Sequence, residues 1–323
     1  MLLAEVVRSG FAESRHRGAL VVLGPGGEVA LAAGAVATPA FPRSASKPLQ
    51  AAGMLRAGLR LDGPLVALAA ASHAGEPFHI AGVRDMLAAA GLAEDDLRCP
   101  PGLPLDDQVR HQYLRDGGRA DPIHMNCSGK HAAMVATCAA AGWPTASYLQ
   151  PGHPLQRRLR STVERLSGEP VTSVGVDGCG APLFALSLTG LARAYQSMIT
   201  AVPGSAERQV ADGMRAYPDW TAGTSRPESA LMRAVPGLLV KGGAEGVLAF
   251  ALADGWAAAI KIEDGTARAL PALAVALLRE LRADACASAD AAALDRIGTV
   301  PVHGGGLVVG EVRPVLPASA AFR

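Results

Sequence analysis

Aromatic residues are scarce in this chain of 323 residues. They make up 4% against 50% for hydrophobic residues as a whole, so any core must be built from Ala, Leu and Val. Net charge is lacking as well. Thirty basic against 29 acidic residues leave a formal charge of +1, which gives no electrostatic reason to expect nucleic acid or an anionic membrane surface as a partner. Long apolar runs are also missing. The longest uncharged stretch, 132–156, is broken by Gly142, Pro144, Pro151, Gly152 and Pro154 and cannot be one spanning helix. The first residues, with Glu5 among them, do not read as a secretory leader. Five cysteines, an odd number spread over the chain, do not form the pattern of a secreted disulfide framework. A soluble, cytoplasmic protein is expected. The glycine signatures of nucleotide binding, GxGxxG and GxxxxGK[ST], are absent.

Lysine is the most informative shortage. Of the 30 basic residues only Lys47, Lys130, Lys241 and Lys261 are lysine, the rest being arginine. Arginine serves for ordinary surface charge, whereas a lysine amine is a compact charge that can lose its proton when desolvated. Each surviving lysine is a candidate for a place where arginine would not do.

What is present reads as alternating local elements. Runs at Gly18–Leu23 and Glu28–Ala33, joined by Gly24-Pro25-Gly26-Gly27, predict a hairpin. A helix is expected from near Ser44, with Pro48 in its first turn, towards Leu59. Further helices are expected at Pro77–Ala90, Gly129–Ala141, Pro154–Ser167, Ser205–Ala216 and Pro271–Arg282. Strands are expected at Val171–Val176, Leu238–Lys241, Val247–Leu252, Trp256–Ile262 and after Gly304–Gly306. A hairpin first, helices in the middle, then a hairpin and a helix argue for a layered α+β domain over 1–323, without βαβ repeats.

Ser44 and Lys47 form a Ser-x-x-Lys. At a helix start they would lie one turn apart on one face, where a neutral amine can take the serine proton. The helix N-terminus would add positive potential for an oxyanion. Ser44 could equally be a helix cap and Lys47 a solvated charge. Two other segments repeat the theme. Ser72-His73 follows the apolar run Pro64–Ala71, and Lys241 ends an apolar run just before Gly242-Gly243.

These residues resemble a known family, the thermolabile, Rhizobium-type L-asparaginases (asparaginase II). The blocks that carry the likeness run in order: 13–18 (Glu-Ser-Arg-His-Arg-Gly), 43–48 (Arg-Ser-Ala-Ser-Lys-Pro), 71–73 (Ala-Ser-His), 126–131 (Asn-Cys-Ser-Gly-Lys-His), 177–179 (Asp-Gly-Cys), 231–234 and 261–265. The resemblance implies a serine-β-lactamase/glutaminase-like fold, hydrolysis of L-asparagine to aspartate and ammonia, and a homodimer. It further implies two Ser–Lys tandems, Ser44 with Lys47 and Ser72 with Lys241. Penicillin-recognising enzymes use a comparable layout ending in Lys-Thr-Gly. Here that motif reads Lys-Gly-Gly, and the missing hydroxyl argues against β-lactam recognition.

Read alone, Cys127 and Cys179 could be buried thiols like Cys99, Cys138 and Cys286, because an ordinary structural zinc site needs four Cys or His ligands. The resemblance implies zinc held by Cys127, Cys179 and Lys130. Arg226, Asp177 and Glu228 are candidates to pair the charged groups on the substrate α-carbon, with His73 as a further substrate contact. Two rival readings remain: a zinc-dependent or broader, glutaminase-like amidohydrolase, and a catalytically inactive amino-acid-binding domain.

Overall fold

The apolar runs at 247–251 and 257–262 fold as strands buried on both faces, as their lack of alternation requires. In the computed structural model, residues 1–281 and 284–317 are described. Their strands are β1 (Leu2–Arg8), β2 (Phe11–Leu23), β3 (Val29–Ala33), β4 (Val174–Val176) and β5 (Pro182–Phe184), then β6 (Leu239–Gly243), β7 (Val247–Ala251), β8 (Ala257–Ile262), β9 (Pro301–Gly304) and β10 (Leu307–Pro314). Expected helices appear close to their predicted bounds, and Gly142, in the left-handed conformation, ends the helix it was expected to stop. The predicted end of one helix at Arg282 lies outside the described residues. No helix among those described is long and apolar enough to cross a membrane.

The chain divides into two compact units. One comprises Met1–Ala45, Leu186–Thr200 and the described residues from Ala230 onwards. It holds an antiparallel sheet in the order β6-β7-β8-β2-β1-β10-β9, with β3 also paired to β2. Alternate residues separate its faces. Leu20, Val22, Val240, Phe250 and Ile260 join a core with the helix Leu270–Glu280. Residues of the opposite parity face the other way, and the helix Leu188–Ile199 packs against β2, β7 and β8. Helices on a predominantly antiparallel sheet make the α+β layering that was expected.

The other unit, Ser46–Ala185 with Ala201–Ser229, is mainly helical. It contains α1 (Lys47–Arg56), α2 (Pro64–Ala69), α3 (Pro77–Ala89), α4 (Asp107–Arg115), α5 (Ser128–Ala141) and α6 (Pro154–Ser167). Helix α5 is buried from Ser128 to Cys138 and packs against α1, α2 and α3. Its many alanines allow that close approach.

His79 of α3 has no exposed surface; its ring stacks on His73 at 5.1 Å and its Nε2 donates to the Asp219 carbonyl at 3.0 Å. Burial outweighs that bond and the nearby Glu76, lowering its pKa to about 4. The folded state therefore holds His79 neutral where the unfolded chain, with a histidine pKa of about 6.5, takes up a proton. Stability from this group is present above about pH 6.5 and is lost as pH falls towards about 4. Between pH 7 and 5, His79 alone should remove about 2 kcal/mol of unfolding free energy, measured by urea denaturation. A stability that is flat or rises over that interval contradicts a buried neutral imidazole.

Candidate active site

Ser44 lies in a single 3-10 turn, Arg43–Ser46, that runs into α1 with Pro48 in the first turn. The turn begins under strain. Arg43 has φ 51°, and Glu245, whose carboxylate is 3.8 Å from the Arg43 guanidinium, has φ 60°. A Cβ on Gly243 would come within 2.4 Å of the Pro42 carbonyl oxygen and 3.2 Å of the Ser44 nitrogen. Only glycine lets β6 lie so close to the Ser44 backbone, which accounts for Gly243 in the Lys-Gly-Gly sequence. Lys241 shares a face of β6 with Gly243, is 1% exposed and donates to the Gly242 carbonyl at 3.2 Å. The strand runs two residues beyond its expected end, so Lys241 sits inside it rather than at its tip.

In the helical unit, the first residue of α1, Lys47, is 1% exposed. Its Nζ lies 2.8 Å from the Ala71 carbonyl oxygen, 2.8 Å from Ser72 Oγ and 3.0 Å from Cys127 Sγ. The loop after α2 that supplies Ala71 and Ser72 is tied on both sides. Ser72 N–H donates to the Thr221 carbonyl, and His73 N–H to that of Asn126. His73 is wholly buried, with Nε2 2.8 Å from Ser128 Oγ. Burial, with the His79, Lys47 and His124 charges, holds its pKa well below the histidine range. A neutral imidazole so enclosed fastens the Ser72 loop to the first residue of α5.

Cys127 caps α5 and Lys130 lies in its first turn. The β4–β5 hairpin brings Cys179 to them, its turn closed by Asp177 N–H on the Ala181 carbonyl and by Gly180 N–H on that of Asp177. Lys130 Nζ is 3.0 Å from Cys179 Sγ. An interaction between the Cys127 and Cys179 thiols shifts both. It raises Cys127 well above the usual thiol range, together with burial, and lowers Cys179 far below it, where Lys130 and His131 also act. Burial works against the Lys130 ammonium, but the Cys179 and Cys127 sulfurs outweigh it and raise its pKa. His131 is held by the Tyr148 hydroxyl at 2.8 Å.

Two thiols and an amine converge at this point, a donor set chemically suited to zinc. Among the described residues no group of three or more His, Cys, Asp and Glu side chains is arranged to hold a metal ion, so a site here needs Lys130 as its third ligand.

The remaining predicted residues belong to the same unit. Asp177 is half-buried; its Oδ1 accepts from Gly178 N–H and its Oδ2 lies 3.7 Å from Cys179 Sγ. Arg226 and Glu228 pair with each other at 3.7 Å, too long for a hydrogen bond. Sequence reasoning missed Glu76 and Asp106. Glu76 accepts from Thr224 N–H and hydroxyl, and Asp106 accepts from the Ser225 hydroxyl while capping α4. Together they pin the loop that carries Arg226. Asp106 before the helical stretch 107–115 was a legible cap signal.

The sequence model of the L-asparaginase II family matches residues 4–314. No curated protein matches the chain. Among solved structures, a Bacteroides dorei DSM 17855 protein described as a candidate β-lactamase is similar at 15% identity. The match covers 76% of this chain and 84% of that one, with a TM-score of 0.43.

Gly129, at the second position of α5, tests how tightly this site is built. A Cβ there would stand 2.6 Å from the Leu68 carbonyl oxygen, where α2 is about to end. Helix propensity alone would make Gly129→Ala stabilising by up to about 1 kcal/mol. Because the obstacle is backbone, the variant should instead lose about 1–3 kcal/mol in urea denaturation. A more stable Gly129→Ala would mean that α5 can shift away from α2 freely.

Proposed function

The chain belongs to the L-asparaginase II family, a family of asparaginase-type amidohydrolases, and we propose that it hydrolyses free L-asparagine by Ser–Lys chemistry. The observation that carries this reading is the Lys47 amine, buried and 2.8 Å from Ser72 Oγ, with its other contacts made by a carbonyl and a sulfur. A lysine so placed is a proton-transfer group and not a surface charge.

In the proposed reaction Ser44 attacks the side-chain amide carbon. Its exposure favours it as nucleophile: Ser44 is partly open, whereas Ser72 is 8% exposed and occupied by Lys47. The Ser44 proton passes to the Lys47 amine, its partner in the Ser-x-x-Lys. The C–O bond forms, and the resulting oxyanion is favoured by positive charge, for which Lys241 is proposed. The C–N bond then breaks as the nitrogen takes the proton from Lys47 and leaves as ammonia. Water repeats the sequence on the ester, releasing aspartate and restoring Ser44. Arg226, Asp177 and Glu228 are proposed to pair the α-carboxylate and α-ammonium, while His73 positions the Ser72 loop. Five free cysteines, four of them buried, support the assignment to a reducing, cytoplasmic compartment.

A second reading has its own observation, the convergence of Cys127, Cys179 and Lys130. These residues would hold zinc, and the ion would supply a fixed positive charge and a Lewis acid. We place it as an aid to binding or stability. If it instead drives the chemistry, chelation should abolish kcat.

Two results test the main reading. Ser44→Ala should keep its fold by circular dichroism and lose on the order of a thousandfold or more in kcat/KM for asparagine. A folded variant that keeps more than about a tenth would remove Ser44 from the role. On one preparation, kcat/KM for L-asparagine should exceed that for L-glutamine by at least about tenfold, because one methylene displaces the reacting carbon from a fixed nucleophile. A chromogenic cephalosporin should not turn over. Glutamine equal to asparagine would move the protein to the glutaminases.

A further inference from the structure

The three contacts of Lys47 specify more than burial. A protonated lysine has three N–H donors, and Ala71, Ser72 and Cys127 supply three acceptors. A neutral amine has two donors and one lone pair. If the Ala71 carbonyl and the Cys127 sulfur retain the two N–H groups, tetrahedral geometry leaves the lone pair facing Ser72 Oγ. The carbonyl is a fixed backbone group. Among the described residues, the sulfur is therefore the one side-chain hydrogen-bond contact, apart from the serine itself, that can set the rotation of the amine.

Cys127 is suited to this. It is 4% exposed, stands at the N-cap of the buried helix α5, and donates its own proton to Asn126 Oδ1 at 3.6 Å. Its sulfur lone pairs thus remain available to Lys47. We infer that Cys127 is a positioning residue for the Lys47 amine, its sulfur aiming the nitrogen lone pair at the serine hydroxyl, whether or not a metal binds beside it. The inference rests on the reading of Lys47 as base, and it adds to the metal-ligand role that the family implies for Cys127. Cys179, which has no contact of its own with Lys47 among those described, provides the comparison: it belongs to the same thiol pair but not to the cradle.

The experiment compares Cys127→Ala, Cys127→Ser, Cys179→Ala and Lys47→Arg, each chelator-treated and then again with zinc added. Steady-state kinetics on asparagine are read beside the Nζ magnetic-resonance signals of isotope-labelled lysine. The chain has only four lysines, so Lys47 is assigned by its loss in Lys47→Arg. In chelated protein, Cys127→Ala should lower kcat about a hundredfold below Cys179→Ala while KM moves less than about threefold, and should shift the Lys47 signal. Cys127→Ser keeps an acceptor but is a poor zinc ligand, and it should recover kcat to within about tenfold of chelated wild type. Equal kcat and an unmoved Lys47 signal in the two alanine variants overturn the proposal. If Cys127→Ala does not fold, Cys127→Ser decides: a folded serine variant that loses more than about a hundredfold in kcat overturns it too. Wild-type kcat in Lys47→Arg instead removes the base reading beneath it. The two failures are distinct, because only the first leaves Lys47→Arg inactive.

Discussion

The helical unit is organised around one problem, how to bury the Lys47 nitrogen. Removing a charged or strongly polar group from water costs several kcal/mol unless hydrogen bonds replace the lost hydration. Here three partners do so, from the loop after α2 and the cap of α5. Each must be brought within about 3 Å, a distance that tolerates little movement. The surroundings follow from that demand. Gly129 lets α5 close on the Leu68 carbonyl, Thr221 and Asn126 hold the Ser72 loop, and His73 locks it to Ser128. Helix α5 is alanine-rich because bulkier side chains would hold its neighbours away.

The same economy governs charge in the thiol pair. Lys47 touches Cys127, Lys130 touches Cys179, and all four groups are almost wholly enclosed. A thiolate on both sulfurs would place like charges side by side in a low-dielectric interior, so the pair holds one proton between them. The sulfur beside Lys47 is the one whose pKa rises, and the sulfur beside Lys130 the one whose pKa falls. Such a set is neither a plain core nor a finished metal site; it is polar and fully paired, and its members depend on one another.

Much of this was legible in the residues. Scarcity of lysine pointed to Lys47, Lys130 and Lys241, and all three are about 1% exposed. Lys261, the fourth, is only partly buried and donates to two carbonyls beside the sheet. The apolar runs at 247–251 and 257–262 identified their strands because both faces are covered. The first half of β2, Phe11-Ala12-Glu13-Ser14-Arg15-His16-Arg17, was not legible as strand, since its charges pair across to β1, as in Arg15 with Glu5. The contact between Lys47 and Cys127 was hidden for a different reason. The two residues are 80 apart in the chain, and no local periodicity reports a contact of that kind.

Ser44 presents the opposite case, a site prepared by strain rather than by burial. Arg43, next to Ser44, and Glu245, facing Arg43, hold left-handed backbone, each at a cost of about 1–2 kcal/mol. Such conformations persist only where the rest of the structure over-determines them. Here it does: Ala40 exchanges backbone hydrogen bonds with Leu186 at 2.7 and 3.0 Å, and the Tyr195 hydroxyl donates to the Ala45 carbonyl at 2.7 Å. The segment is therefore clamped at both ends by the helix Leu188–Ile199 and the residues just before it. The positive φ of Arg43 lies between these two clamps. A chain so held has few ways to relax, and the serine it presents keeps one backbone orientation. For a nucleophile whose rate falls steeply with sub-ångström misplacement, that rigidity is worth more than the stability it removes.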